Sequence, residues 1–444
     1  MNNYFNQHAK LFCMLLALLF SLVLKAQEVD NIFSLDAQLV TRGELRTGGF
    51  KADSLDNERF SHFALGKYRI TANYQRSWLE VRLSPQFSGI WGQASAGLNL
   101  YEGWTKMQTK KGLFVKIGRQ ELTYDDGRII GNDDWTMTAP THDVVKLGFD
   151  GESHKVHLIA AYNQNAENID NGGSYYSNGI QPYKTMQTLW YHYDTPKKMF
   201  GFSLVGMNIG MQSAKEGEVD TDYYQQLVGT YMAFRPKHWS LEGAFYYQMG
   251  KEEHGMTIDA FMASAKLNVE PNEKFNLFAG YDYLSGDEYF AVPPNGSIGL
   301  VYHDKVRGFN AIFGSHHEFY GAMDFFYMSN YVGGFTPGLQ NLFVGGSVKP
   351  INGLSFNGAY HYYAIATNLD YVNTNTLGHE VEVSTSYSFN NTVAVSAGYT
   401  FMKGSETMEL LNQVSEKRQL HWAWVMLSIK PTLFKTIWQD KNNK

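Results

Sequence analysis

From residue 27 onward no apolar run approaches the ~20 residues that a membrane-crossing helix needs, yet apolar residues recur at every second position. In Leu35–Arg46 one face reads Leu35, Ala37, Leu39, Thr41, Gly43 and Leu45, and the other Asp36, Gln38, Val40, Arg42, Glu44 and Arg46. Leu79–Gln86 sets Leu79, Val81 and Leu83 against Glu80, Arg82, Ser84 and Gln86. Phe275–Tyr283 and Val393–Phe401 alternate in the same way. Side chains on a strand point to opposite faces in turn, so a period of two predicts strands with one apolar face. The chain is all-β.

What that apolar face meets decides the architecture. A secreted soluble sandwich or barrel buries it inside, whereas a membrane barrel turns it toward lipid and keeps a polar lumen. The polar faces here carry Gly, Ser, Asn and single charges of both signs, and almost no lysine-rich stripe. Aromatics, 15% of the chain, cluster where strands end: Trp190-Tyr191-His192-Tyr193, Tyr246-Tyr247 and Tyr360-His361-Tyr362-Tyr363. Interfacial girdles occupy such positions in membrane barrels. The inverted arrangement is therefore expected. A formal net charge of −6 gives no general attraction to nucleic acid.

The first 26 residues form a separate segment. Lys10 precedes the apolar run Leu11–Leu24, which is too short to span a bilayer and is followed by Lys25-Ala26-Gln27. That is the layout of a secretory signal peptide, 1–26, with an imperfect cleavage motif because Leu24 holds the outer small position. Cys13 lies at the start of the apolar run and not after it, so it is no lipidation site. Removing Lys10 and Lys25 leaves 35 basic against 43 acidic residues, a charge of −8, and no cysteine. An exported chain without disulfides or metal thiolates results.

The connections predict the strand count. Short polar turns recur at 75–77, 110–112, 151–153, 195–198, 235–237, 270–273, 349–353 and 390–391, and longer Gly/Asn/Asp-rich stretches such as 164–185, 212–221 and 404–417 lie between them. Eight short turns alternating with nine long loops give about 18 antiparallel strands, with both termini on the short-turn, periplasmic side and the long loops extracellular. Between Pro271 and Pro350 the interval doubles, which leaves a loop at 286–338 expected to fold into the lumen or over its mouth. One transmembrane barrel over 27–434, followed by a short periplasmic tail at 435–444, is the expected organisation, and a closed barrel leaves no free edge.

Residues 114–131 (Phe-Val-Lys-Ile-Gly-Arg-Gln-Glu-Leu-Thr-Tyr-Asp-Asp-Gly-Arg-Ile-Ile-Gly), continuing to Asp134-Trp135 and 143–147, resemble the signature stretch of the alginate-export outer-membrane family. Arg42–Arg46, Phe309–Asp324 and Leu377–Glu382 are similar to further blocks of that family. The resemblance implies an 18-stranded monomeric barrel in the outer membrane. It also implies a lumen constricted by arginines that attracts a polyuronate. Export would call for a periplasmic partner at the short turns, and the sequence identifies none.

Arginine suits that task. A uronate polymer carries one carboxylate per sugar, and guanidinium binds carboxylate bidentately while staying charged at any working pH. Passage requires contacts that are weak and repeated. Phase places Arg42, Arg46 and Arg82 on lumen faces, with Arg69 opposite the outward Ile70. Arg119 and Arg128 come from the family-like stretch. Val115 and Ile117 outward would carry Arg119 outward too, unless Gly118 makes a bulge or Arg119 stands above the lipid zone. Acids stand near these arginines: Glu44, Glu80, Glu121, Asp125, Asp126 and, farther off, Glu380 and Glu382. They serve either as salt-bridge ladders across the wall or as elements that order the arginines and keep a polyanion from binding too tightly.

Other constellations carry less. Asp125-Asp126 and Asp133-Asp134 lack calcium-loop spacing, so solvated loop acids are expected and no metal or cofactor is implied. His316-His317-Glu318 reads as loop packing, and His379, in phase with Val381 and Val383, belongs near the interface. A barrel enzyme of the outer membrane is the remote alternative: there is no Gly-x-Ser-x-Gly, no His-Glu-x-x-His and no phosphate loop, and His142-Asp143 has no nearby serine nucleophile, although a triad assembled in space leaves no sequence motif. A plugged 22-stranded transporter needs more chain. The expected function is a non-enzymatic outer-membrane channel for an anionic polysaccharide or its oligosaccharides. Its rival is a general or small-organic-acid porin, which shares every barrel feature.

Overall fold

A computed structural model describes residues 31–47, 60–93, 97–163, 182–215, 218, 221–287, 305–324, 326, 337–368, 373–411 and 419–439. The expected signal peptide, much of the loops 164–185, 286–338 and 404–417, and the end of the tail lie outside these residues.

Each strand pairs antiparallel with the next in sequence, from Asn31–Arg46 around to Gln419–Ile429. The sheet closes through Leu39–Arg46, which pairs with Gln419–Ile429 in the register Leu39↔Ile429 to Arg46↔Trp422. Thr432–Trp438 continues that closure along Asn31–Asp36. Lys430-Pro431 interrupts this last strand, because proline has no N–H to give the ladder. Counting the interrupted strand once, and setting aside the two-residue Lys305–Val306, which runs parallel to Thr257-Ile258, the barrel has 18 staves. The strands other than the interrupted one are 8 to 16 residues long, in keeping with the ~9–11 that cross a bilayer.

Each of the eight short turns overlaps its predicted polar cluster, although the strands run into the clusters at 75–77 and 270–273 and leave the turns at 77–78 and 273–274. Two of the nine opposite connections, 91–96 and 252–256, are nearly as short as turns. The closing strand extends past 434 to Trp438, so the tail is shorter than expected: Phe434 and Trp438 find aromatic partners in Phe33 and Tyr74. No helix among the described residues is long and apolar enough to cross a membrane.

On the outer wall Leu83, Leu158, Leu189, Leu277 and Leu342 each leave 49–58% of their surface open. Isolated in water this band would be an aggregation surface; facing acyl chains it is the lipid-contact belt. Leu342→Arg is expected to destabilise the folded barrel by about 2–4 kcal/mol if it lies near the midplane, whereas a lumen change such as Ser384→Arg costs far less. Urea titration of the refolded barrel in lipid vesicles measures both.

Two expectations about the interior need correction. The aromatic clusters are not girdles throughout: alternation turns Trp190, Tyr246, His361 and Tyr363 inward, where each is less than a tenth exposed. The lumen is also not polar all round. Ile159, Met186, Val205, Met207, Ile209, Leu227, Ala260 and Met262 line its wall, in strands from His154–Tyr162 to Thr257–Asn272, and are buried. Those strands are apolar on both faces because two loops fold in and cover them. Leu122, Tyr124, Ile129 and Ile130 come from loop 121–141, and Phe309, Phe313, Tyr320 and Phe326 from the long loop. The remaining open lumen lies between these loops and the polar strands on the other side.

Candidate functional site

The first two strands, Asn31–Arg46 and Ser61–Arg76, present Arg42, Arg46, Lys67 and Arg69 to the lumen, in phase with the lipid-facing Leu39, Leu45 and Ile70 on the other face. Lys67, which the arginine pattern alone does not single out, follows from the same phase. Loop 121–141 brings Asp134 and Trp135 against this group. Asp134 Oδ1 lies 3.0 Å from Lys67 Nζ and 2.8 Å from Arg69 Nη2. Burial pushes the Asp134 carboxyl up, but Lys67 and Arg69 outweigh that and hold it below the usual aspartate range. Arg69 also donates to Gln38 and Gln86 and stacks 3.4 Å from the Tyr101 ring centroid.

Arg42 is committed too. Its Nε is 2.9 Å from Glu44 Oε1, its Nη1 donates to the Trp135 carbonyl, and its guanidinium lies 4.1 Å from the Trp135 ring centroid. Trp422 Nε1 donates to the other Glu44 oxygen at 3.0 Å. Arg82 is bridged to Glu102 at 3.1 Å. Glu80 lies across from Lys106 on the adjacent strand. Arg46 differs from the rest: it is exposed at the long-loop end, its cationic carbon 5.0 Å from the Phe63 ring, and it makes no ion pair with any described residue.

The family-like stretch behaves otherwise than a lumen arginine cluster. Arg119 shares the outer face with Ile117 and pairs in register with Asp143, which it grips at 2.7 Å. The ladder keeps its register through Gly118, so no bulge turns Arg119 inward. Arg128 is inside but sealed: it meets Asp282 at 3.0 Å, Asp126 at 3.2 Å, the Tyr320 hydroxyl at 3.3 Å and the Phe319 ring at 4.1 Å. It ties loop 121–141 to the long loop and to the wall. Glu121 accepts from the Tyr101 hydroxyl, and burial pushes its carboxyl up. The paired acids work separately: Asp125 holds Trp190 Nε1, while Asp126 holds Arg128. Burial raises Asp125 to about 6.

The long loop is latched to an acidic wall on the strand Thr376–Ser388. The amides of Ala322 and Met323 donate to Glu382 and Glu380, each at 3.1 Å. Gly321 allows that approach: its φ is 92°, and a Cβ there would collide with Tyr363 and the Glu380 carboxylate. His317, in a 3-10 turn over His316–Glu318, bonds Asp324 at 2.8 Å and lies parallel to Trp135 with ring centroids 4.5 Å apart. His379 sits on the outer face, stacked with Tyr360, as its phase predicts.

Trp135 separates two cavities. The larger, about 760 Å³, is bordered by Arg42, Arg46, Phe63, Trp135, Asp324 and Trp422. The smaller, about 270 Å³, is bordered by Trp135, His317, Glu382, Thr400 and Trp424. A basic wall and an acidic wall thus face a lumen narrowed by two loops that meet at Trp135 and His317. Such a passage can hold a solute by stacking and by charge without committing a side chain to covalent chemistry.

Comparison with known proteins fits this geometry. Residues 96–392 match the family model described as alginate export. That range contains the stretches 114–147, 309–324 and 377–382, but not Arg42–Arg46. Among solved structures, Pseudomonas aeruginosa OccK2 (OpdF) superposes with a TM-score of 0.60 at 12% identity, over 90% of this chain and 98% of its own. A BenF-like porin from Pseudomonas fluorescens Pf-5 gives 0.60 at 10% identity, over 90% and 99%. Pseudomonas aeruginosa OccK9 (OpdG) gives 0.59 at 11%, over 90% and 98%. No curated protein matches the sequence. The structural likeness establishes the barrel fold.

Proposed function

Because the chain belongs to the alginate-export family and is an integral outer-membrane β-barrel channel, we propose that it passes acidic saccharides, as short uronate oligomers, by diffusion through the loop-narrowed lumen. The observation that carries this reading is the cavity of about 760 Å³ with Arg46, which makes no ion pair with a described residue, on its border and Arg42, Trp135 and Trp422 beside it. Its volume falls in the ~300–1,000 Å³ range of sites that enclose a ligand of drug size, which suits a short oligosaccharide better than a freely threading polymer. The aromatic rings offer apolar surface to sugar faces and Arg46 offers a fork to a carboxylate. No nucleotide site or catalytic constellation enters this account; the driving force is the concentration gradient, and the working unit is the monomer in the outer membrane.

A small-organic-acid porin is the second reading, favoured by the pairing of Arg42, Arg69, Arg82 and Arg128 with carboxylates. Paired charges leave a weaker field for a polyanion. Uptake into protein-loaded liposomes separates the two. Galacturonate dimer and trimer are expected to enter faster than neutral oligosaccharides of equal length, and Arg46→Gln to reduce that preference by about three- to tenfold, the equivalent of roughly 1 kcal/mol of lost charge contact. Equal rates for acidic and neutral sugars in the wild type would contradict the proposal and favour the porin reading.

A further inference from the structure

Apart from the arginines lies a second group of cations. Lys106, Lys116 and Lys146 stand directly opposite one another on three neighbouring strands, in the register Lys106↔Lys116↔Lys146. Their faces alternate with the outward Ile117, Val145 and Leu147, so all three point into the lumen. Like charges opposite each other on neighbouring strands, with Cβ atoms ~5 Å apart, destabilise a sheet. Three in succession therefore call for a compensating partner.

The protein supplies only part of one. Lys116 Nζ lies 3.7 Å from the Trp104 ring centroid, Lys106 Nζ 4.6 Å from that of Phe114, and Lys146 Nζ 5.7 Å from that of Tyr124. Aromatic faces attract ammonium groups but accept none of their conventional hydrogen bonds. None of the three lysines makes an ion pair with a described residue. The nearby acids act on the row through space but bridge none of its lysines: Glu102 holds Arg82 and Trp104, Asp150 holds His157, and Glu80, across from Lys106, makes no ion pair with a described residue. The row continues in register through Glu80 to Gln75 and Ile32, at the short-turn end of the first two strands. Arg42 and Arg46 lie toward the opposite end.

From this arrangement we propose that Lys106, Lys116 and Lys146 form a separate anion-binding station on the short-turn side of the lumen, which takes a multiply charged anion. For the transported solute this means the successive carboxylates of an acidic oligosaccharide, an identity that rests on the function proposed above. Lysine suits a station that must release its ligand: it is a mobile point charge and does not grip with a planar fork. The solute then meets two separated basic stations, lysines at one end of the loop-narrowed stretch and arginines at the other.

Block of the reconstituted channel by inorganic tripolyphosphate tests the station without assuming a sugar. Added to each chamber in turn, it should block the wild type from the side that the short turns face. In Lys106→Gln/Lys116→Gln/Lys146→Gln this block should weaken by about tenfold or more, and block from the long-loop side should persist. If the triple variant does not refold, Lys116→Gln alone should weaken it about threefold by the same reasoning. Unchanged block from the short-turn side in a folded lysine variant overturns the proposal. Block by tripolyphosphate but not by galacturonate trimer supports the lysine station and counts against the saccharide reading, so the two can fail separately.

Discussion

Replacing Asp134 by alanine is expected to raise single-channel conductance and shift the reversal potential toward the anion. Asp134 is the carboxylate that Lys67 and Arg69 share. Lys67 is almost fully enclosed, and the Lys67 ammonium also donates to the Asp134 carbonyl. Removing one partner of a buried pair costs about 3–5 kcal/mol; because the Asp134 side chain is 32% open, the lower end applies. The wall strands are held by their ladders, so the expense falls on loop 121–141, which loosens from the basic wall. Two cations then face the lumen without a counter-charge. Acid should act in the same direction. The Asp134 carboxyl is held low in the folded state, so its stabilisation is complete above the unfolded aspartate value near 4 and is lost as pH falls through the lower folded value. Conductance recorded from pH 7 down to 3 should rise at the acid end in the wild type, and this last rise should be absent from Asp134→Ala.

Arg128→Met is expected to have the largest effect on the ordering of the interior. Among the described residues it leaves Asp282, only 2% exposed, with Asn341 as its remaining hydrogen-bond partner, and it cuts the tie from loop 121–141 to Tyr320. An orphaned buried carboxylate costs about 3–5 kcal/mol or takes up a proton. Protease cleavage within 305–326 should become rapid while the barrel stays folded by its resistance to SDS at room temperature. The double variant Arg128→Met/Asp282→Asn should recover part of the loss, since the two residues form one pair and their effects are not additive. Equal protease resistance in wild type and Arg128→Met would remove Arg128 from its role as the internal tie.

The wall of this protein was readable from its sequence because a strand tells its two faces apart by a period of two, and a turn by its polar cluster. Arg42, Arg69 and Arg82 therefore lie on the faces that phase assigns. Lys106, Lys116 and Lys146 obey the same rule, and their phase is as legible as that of the arginines. Two things were not readable. Which cation is paired depends on contacts such as Arg69–Asp134, far apart in sequence and made by a loop with no period at all. The inward fold of loops 121–141 and 305–324 likewise turned Met207, Ile209 and Tyr246 from an unexpected apolar lumen into a packed core. Arg119 shows the opposite lesson: its phase pointed outward, and the family-like surroundings argued against the phase. The phase was right.

Local basic stations in the lumen have to outweigh a chain whose formal net charge is −6. The reversal potential of the purified channel in a planar bilayer under a KCl gradient, followed by addition of galacturonate trimer, tests this most directly. Anion selectivity with block by the trimer is the predicted result. Cation selectivity without block would contradict the account and leave an ordinary porin whose lumen charges neutralise one another.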